Sequence, residues 1–375
     1  SVNKTNSNLS NLTMTTASTG QTEFVNAMNR AYMEVSTGVK SYSNAIIDAI
    51  DNLSSKGAVV KYPSGHQMSL ESAARMNIIT GVNQTCGKMQ LLRAEELGWD
   101  LMEITAHGGA RPEHASWQGK IVSRSGRKGY LSLDDIGYGK VTGFKGINCR
   151  HDWNPYFEGS SKTYTDEQLK KWQDETIEYK GKKMTKYEAS QVQRNMERVI
   201  RQDKKELAGI QGILTSNNTD EKLIEDTKTK FARKTLYYNS HKKELEEFTN
   251  AIESKSDRTR MYIGQPEKTN MKAITQIANK YNSNIVGKKV NNFEIKEVSE
   301  HIISRTYARN LDFEDIQDTL NNPLDYGKIK TDNQGRKSIN IYGKKVTVSI
   351  NPDTGKLATA RPTNKRELKR YEHKE

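Results

Sequence analysis

Three imidazoles and a thiol, from His107, His114, Cys149 and His151, stand close together in the chain. The first two lie in HGGARPEHASWQGK, from His107 to Lys120, where glycines and a proline interrupt any regular helix. The other two lie in CRHDW, from Cys149 to Trp153. Imidazole and thiolate are both good donors to zinc, so the four residues are candidate metal ligands and zinc the candidate ion. Their spacing is not that of a standard finger, and Arg111, Arg124 and Arg150 nearby oppose a cation. The competing reading is a tight loop whose histidines bond backbone groups while the tryptophans fill a small core.

A second constellation lies in EHIISRTYARN, which sets His301, Arg305 and Arg309 at i, i+4 and i+8, on one face of one helix. Such a face suits phosphate chemistry, since histidine moves protons near neutrality and arginine stabilises charge developing on phosphoryl oxygens. A basic, solvated helix face reads the same way. Glu297, one turn before His301, either orients the imidazole or pairs with a lysine.

Several elements must position these residues. Apolar residues recur at helical spacing from Phe24 to Leu53, predicting an amphipathic helix or helix pair. VVKYPSGHQMSLESAARM predicts a strand, a Pro-Ser-Gly turn and a helix capped by Ser69 that runs to Leu97 and closes at Gly98. Between Trp99 and Tyr156, DLMEITA, KIVS and KVTGF read as strands between structured loops. The stretch from Tyr164 to about Phe248 reads as a charged helical hairpin, solvated rather than a nucleic-acid site. SDRTRMYIGQPEKT reads as a connector. After it come helices near Asn270–Tyr281, Ser299–Arg309 and Phe313–Leu320, then a three-stranded antiparallel meander in GRKSINIYGKKVTVSINPDTGKLATARP. The fold class expected is multidomain α+β, with mostly helical N-terminal and middle regions around a small mixed His- and Trp-rich domain and a C-terminal module of helices leading into an antiparallel sheet.

The 375 residues suffice for two or three domains. With 34% hydrophobic residues and a mean hydropathy of −0.86, much of the length must be solvated helix or linker. A net charge of +13 favours a polyanionic partner. Two cysteines exclude a disulfide framework and point to a reducing compartment. No apolar run approaches the roughly eighteen residues of a membrane span, and no signal peptide is evident. The start at SVNKTN, without an initiator methionine, points to a processed or excerpted segment.

Read in order, GVNQTCGKMQLLRAEELGWDLMEITAHGGARPEHASWQGK, GINCRHDWNPYFEG, YTDEQLKKW and YKGKKMTKYEASQVQRNMERVIR resemble the phage minor capsid protein 2 family over about Phe24 to Gly209, with an N-terminal portion shorter than that family's. The resemblance implies a virion component made in the host bacterial cytoplasm, close to the portal and in contact with other head proteins. The shared AHGGARPEHASWQGK and CRH segments would then serve a common need, either a metal-knotted loop or an assembly contact.

From about Val286 to Thr363, the order of a His-bearing helix, a second helix, GRK, alternating strands with an NPDTG turn and a strand ending ATARPT resembles nucleases of the barnase, EndoU, colicin E5/D and RelE type. That resemblance implies a ribonuclease needing no metal, in which the RNA 2′-hydroxyl attacks its own phosphodiester. His301 would be acid or base, and Arg305 and Arg309 would hold phosphate. Thr359 and Arg361, at alternate positions of the last strand, would complete the site, although Thr359 equally reads as an exposed β-former. Arg336, Lys337 and Lys344 would bind nucleic acid. RNA or genome DNA would be the partner, with an immunity protein as a further one. The rival is a purely structural head protein whose basic C-terminal module binds nucleic acid or portal without catalysis.

The expected division is a flexible polar lead-in over 1–22, a minor capsid domain over 23–160, a charged helical region over 161–255, a connector and helix over 256–284, and the nuclease-like domain over 285–375.

Overall fold

The computed structural model of the protein describes residues 2–56, 59–62, 65–217, 219–263 and 268–371. Pro63 and Ser64 of the expected turn, residues 264–267 of the connector and the last four residues of the basic tail lie outside them. In chain order the elements begin with α1 (Val2–Ser36), α2 (Tyr42–Lys56), β1 (Val59–Lys61), β2 (Gln67–Ser69), α3 (Leu70–Glu96), β3 (Leu101–Ile104) and β4 (Ile121–Ser123). Next come β5 (Leu131–Ser132), β6 (Trp153–Pro155), α4 (Asp166–Asp174), β7 (Thr176–Tyr179), β8 (Lys182–Thr185), α5 (Lys186–Thr215) and α6 (Glu221–Ala251). The remainder holds α7 (Lys268–Asn284), β9 (Lys289–Val290), β10 (Phe293–Glu294), β11 (Glu297–Val298), α8 (Glu300–Ala308) and α9 (Phe313–Asn321). It ends with β12 (Asp325–Tyr326), β13 (Lys330–Thr331), β14 (Lys337–Tyr342), β15 (Val346–Ile350), β16 (Lys356–Pro362) and α10 (Lys365–Tyr371). The architecture is α+β. Among the described residues, no helix is long and apolar enough to cross a membrane.

Two units share the chain, and each is discontinuous in sequence. The first takes Ser1–Val25, Lys56–Arg198 and Glu244–Met261. Its four-stranded sheet has the order β5-β4-β3-β6, with β4 and β5 parallel and the other pairs antiparallel. Met102, Ile104, Trp117, Val122, Phe144 and Trp153 form its core with Ala94 of α3. Ser69 caps α3 by accepting from the Ser72 N–H, and Gly98, at φ +66, follows its end. A tight hairpin joins β7 to β8, because Lys180 and Gly181 both take positive φ, as a type I′ turn needs.

Three expectations are corrected here. The polar lead-in over 1–22 is helical from Val2 within α1; it carries no glycine or proline before Gly20, and Ser, Thr and Asn only weakly oppose a helix. KVTGF, residues 140–144, forms turns rather than a strand. Gly137 and Gly139 take positive φ, and a Cβ on Gly143 would lie 2.0 Å from the Gly137 carbonyl oxygen, so this loop folds back on itself. The stretch read as one charged helical hairpin also contains α4 and the β7–β8 hairpin before α5 and α6 begin.

The second unit takes Asn26–Ser55, Val199–Lys243 and Tyr262–Glu375. Its main sheet runs β11-β16-β15-β14-β12, with β13 paired to β14. The meander β14-β15-β16 is antiparallel, while β11 adds to β16 in parallel. Ser299 caps α8 and Asp312 caps α9. Ile302, Ile303, Phe313, Ile316, Ile341, Val348 and Ala360 pack in one core with Leu207, Ile210, Phe231 and Ala232 of α5 and α6.

Candidate functional site

In the first unit the loop after β3 and the segment before β6 bring His114, Cys149 and His151 together. All three are buried, and their donor atoms lie within 4.8 Å of one another. His114 Nδ1 is 3.3 Å from His151 Nδ1, and Cys149 Sγ is 3.7 Å from the same nitrogen. The tautomers follow from the outer partners. His114 Nε2 meets the Thr142 carbonyl at 2.9 Å, and His151 Nε2 meets Gln118 Oε1 at 3.2 Å. Gln118 Oε1 also accepts from the His107 backbone N–H at 3.3 Å, which fixes the amide's orientation. Both acceptors are oxygens, so each Nε2 carries its ring's hydrogen and each Nδ1 presents a lone pair.

Two lone pairs then face each other beside a thiol whose S–H can donate to His151 Nδ1, and a cation between the donors would relieve the contact of the two nitrogens. Burial, with His107 and His114 adding to it, pushes His151 down to about 3, so its ring is neutral at neutral pH. Burial also lowers His114 and raises the Cys149 thiol. Zinc bonds of about 2.0–2.1 Å to nitrogen and about 2.3 Å to sulfur would set tetrahedral edges of about 3.3 Å and about 3.6 Å, close to the separations found. The outer Nε2–H bonds to carbonyl oxygens are those that metal-bound histidines make. The donor set therefore fits a metal ion.

His107 stands apart from this trio. Its ring stacks on that of His151, with centroids 4.6 Å apart, and its buried Nε2 has no hydrogen-bond partner. Trp117 packs edge-on against His151, so the histidines also belong to the small aromatic core.

Beside this cluster a cavity of about 110 Å³ is lined by residues 107–111, His114, Asn148, Arg150, His151, Lys186, Tyr187, Ser190 and Arg194. Burial, with Arg260, Arg150 and Arg111 adding to it, lowers Arg194 to about 10, and it stays charged at neutral pH. In the same unit, α3 exposes Ile78, Ile79, Val82, Met89 and Leu92.

In the second unit His301 and Arg305 line a cavity of about 550 Å³ with Asp48, Asp51, Asp226, Lys230, Arg233, Lys234 and Tyr237. Burial lowers His301, and Arg305, Arg233 and Arg309 lower it further. Both arginines of the face are engaged: Arg305 Nη1 and Arg309 Nε reach Glu225 Oε1 of α6 at 2.7 and 2.9 Å. Arg309 Nη1 also donates to the Ala360 carbonyl at 3.0 Å. Ala360 points into the core with Ile302 and Ile303 of α8, so Thr359 and Arg361, its strand neighbours, face the opposite side of the sheet. Arg361 makes a two-pronged ion pair with Glu367 there. The structure thus groups His301, Arg305 and Arg309 and does not bring Thr359 or Arg361 to them.

Arg336 pairs with Asp332 and Lys337 with Asp353, all at the surface, while Lys344 is exposed. Glu297 pairs with Lys356. Sequence reasoning missed Gln118, although it adjoins Trp117 in the loop motif. It also missed Arg194 and Glu225, which reach their sites from long helices whose charged residues all look alike in sequence.

The chain is similar to a protein described as "Structural protein" from Lactococcus phage LL-H, with 33% identity over 141 residues, 35% of this chain and 38% of that protein. The matched portion is thus well under half of the relative's length. No solved structure matches. The profile of the family described as phage minor capsid protein 2 matches residues 1–234. With more than half of its length matched, the chain is a phage virion component and belongs to the phage minor capsid protein 2 family.

Proposed function

We propose that the chain is a portal-proximal assembly component of the phage head that meets the portal and other head proteins through α3. The observation that carries this reading is the row Ile78, Val82, Met89 and Leu92, a run of large apolar side chains on one helix such as marks a protein interface. In this reading residues 23–160 are the capsid-specific part. Val82→Asp with Leu92→Asp, in a chain that still folds, should abolish its incorporation into heads in a complementation assay. Normal copy number in purified heads would sink the reading.

For the C-terminal module over 285–375, a role without cleavage, in binding nucleic acid or portal, is supported by Glu225, whose single carboxylate engages both Arg305 and Arg309 and offsets one of their two charges. A ribonuclease-like effector, held in check by an immunity protein, is the second reading. What favours it is His301 beside Arg305 and Arg233 in an open cavity. Incubating the full chain with labelled RNA, with and without EDTA and beside His301→Ala, separates the two. Cleavage that survives EDTA and vanishes in the variant supports the effector; intact RNA supports binding alone.

Zinc held by His114, Cys149 and His151 would knot the loop after β3 to the segment before β6, supplying folding free energy rather than chemistry. Metal analysis of the full chain after equilibration with zinc and desalting should find one ion per chain, lost in His151→Ala. A metal-free chain whose melting temperature ignores zinc would refute this.

A further inference from the structure

We propose that Arg111, Arg150 and Arg194, with Lys186, form a binding site for a phosphate group in the cavity beside the HGGARP loop. The argument begins with charge. The lining contains three guanidiniums and one ammonium and no carboxylate. Elsewhere in the same unit, several basic side chains are paired. Arg75 is held by Asp257, Arg260 by Glu197 and Asp257, Arg127 by Glu158 and Lys145 by Asp152. Arg150 and Arg194 make neither a hydrogen bond nor an ion pair among the described residues. Arg111 donates to the Ile147 carbonyl, which leaves its charge uncompensated. Lys186 is partly neutralised by Glu175 at 2.7 Å.

Guanidiniums gathered around one small cavity repel one another; Glu175 is taken by Lys186, and Asp257 and Glu197 pair with other arginines. The missing anion must therefore come from outside. A cavity of about 110 Å³ has room for several waters or for one phosphate group. Phosphate is favoured over a carboxylate because it presents three or four oxygens to several planar forks at once, where a carboxylate presents two. A metal ion in the adjoining His-Cys-His cluster would add positive charge and favour an anion further, but the proposal does not need it. Free phosphate and the phosphodiester of nucleic acid share this chemistry.

The test uses the full chain. Inorganic phosphate is titrated while melting temperature and calorimetric binding are followed, for wild type, for Arg150→Met/Arg194→Met and for Lys128→Met, which removes an exposed lysine of the same unit. The double variant should bind phosphate at least about tenfold more weakly, a loss of about 1.4 kcal/mol. Its melting temperature without phosphate should equal or exceed that of wild type, because self-repulsion has been relieved. Lys128→Met should bind as wild type does.

Arg194→Lys provides a second variant with the charge kept and the fork lost, and it should bind with intermediate affinity. In a parallel arm, single-stranded and duplex DNA oligonucleotides compete with phosphate. Competition that the double variant loses assigns the site to a phosphodiester, and its absence assigns it to free phosphate. Three results would overturn the proposal: no phosphate binding by wild type, an equal loss in Lys128→Met, or a double variant that is less stable yet binds phosphate normally. Tight binding of a polyglutamate peptide, uncompeted by phosphate, would reassign the cavity to an acidic protein partner.

Discussion

Lys145 Nζ lies 2.8 Å from Asp152 Oδ1, with the lysine side chain 1% exposed. Its second hydrogen bond goes to Asn83 Oδ1 of α3 at 2.9 Å. One buried ammonium thus ties the helix before the sheet to the segment that carries Cys149 and His151. Asp152→Ala would leave that charge with a neutral partner only. We expect a loss of about 2 kcal/mol in denaturant unfolding, less than for a fully enclosed pair because Asp152 stays half open to water. A change below about 0.5 kcal/mol would show that water replaces the carboxylate at little cost.

Gln118 touches no donor atom of a metal at His114, Cys149 and His151, yet it fixes the tautomer of His151. Gln118→Ala should weaken zinc binding about 10–100-fold in competition with a chromophoric chelator. Unaltered affinity would mean that the imidazole needs no such orientation.

Glu225 gives a pH signature. Burial works to raise its carboxyl, but the hydrogen bond from Arg309 and the charges of Arg309 and Arg305 outweigh this and hold it below the usual glutamate range. A lowered carboxyl contributes stability above its unfolded value, and that contribution disappears as pH falls through the folded value. Glu225→Gln should therefore cost about 1–2 kcal/mol at pH 7 and nearly nothing once the wild-type carboxyl is protonated. Equal costs at neutral and acid pH would contradict the ion pairs.

Gly343 joins β14 to β15 where a Cβ would stand 2.0 Å from Thr319 Oγ1. That hydroxyl already donates to the Val346 carbonyl at 2.8 Å. Gly343→Ala should destabilise by about 2–3 kcal/mol through overpacking. Adding Thr319→Ala should return part of the loss, so the two changes should be non-additive in a double-mutant cycle.

Local elements were legible in the sequence wherever a short-range signal suffices. Ser69 and Gly98 bound α3 as their types require, Ser299 starts α8, and alternation gave the β14–β16 meander with its turn, where Asn351 Oδ1 accepts from the Asp353 and Thr354 N–H groups. KVTGF failed because its alternation is that of a β-strand while its glycine, Gly143, serves a turn packed against Gly137. The candidate donors were named by type, but their separation into a trio plus a stacked His107 depends on ring orientation, which spacing does not encode. The engagement of Arg305 and Arg309 by one carboxylate was invisible because Glu225 lies some eighty residues earlier in a helix where one glutamate looks like the next.

The strand order β11-β16-β15-β14-β12 has a temporal consequence. β16 is the last of these strands to be made, yet it lies inside the sheet, with β11 on one side and β15 on the other. While the ribosome is still building the chain, β11 waits without a neighbour and β15 keeps one edge open. Pairing can finish only after Pro362 has emerged, so a nascent chain halted at the NPDTG turn would present an adhesive edge instead of a closed sheet. Folding of this sheet therefore waits for its last-made strand rather than starting from its first.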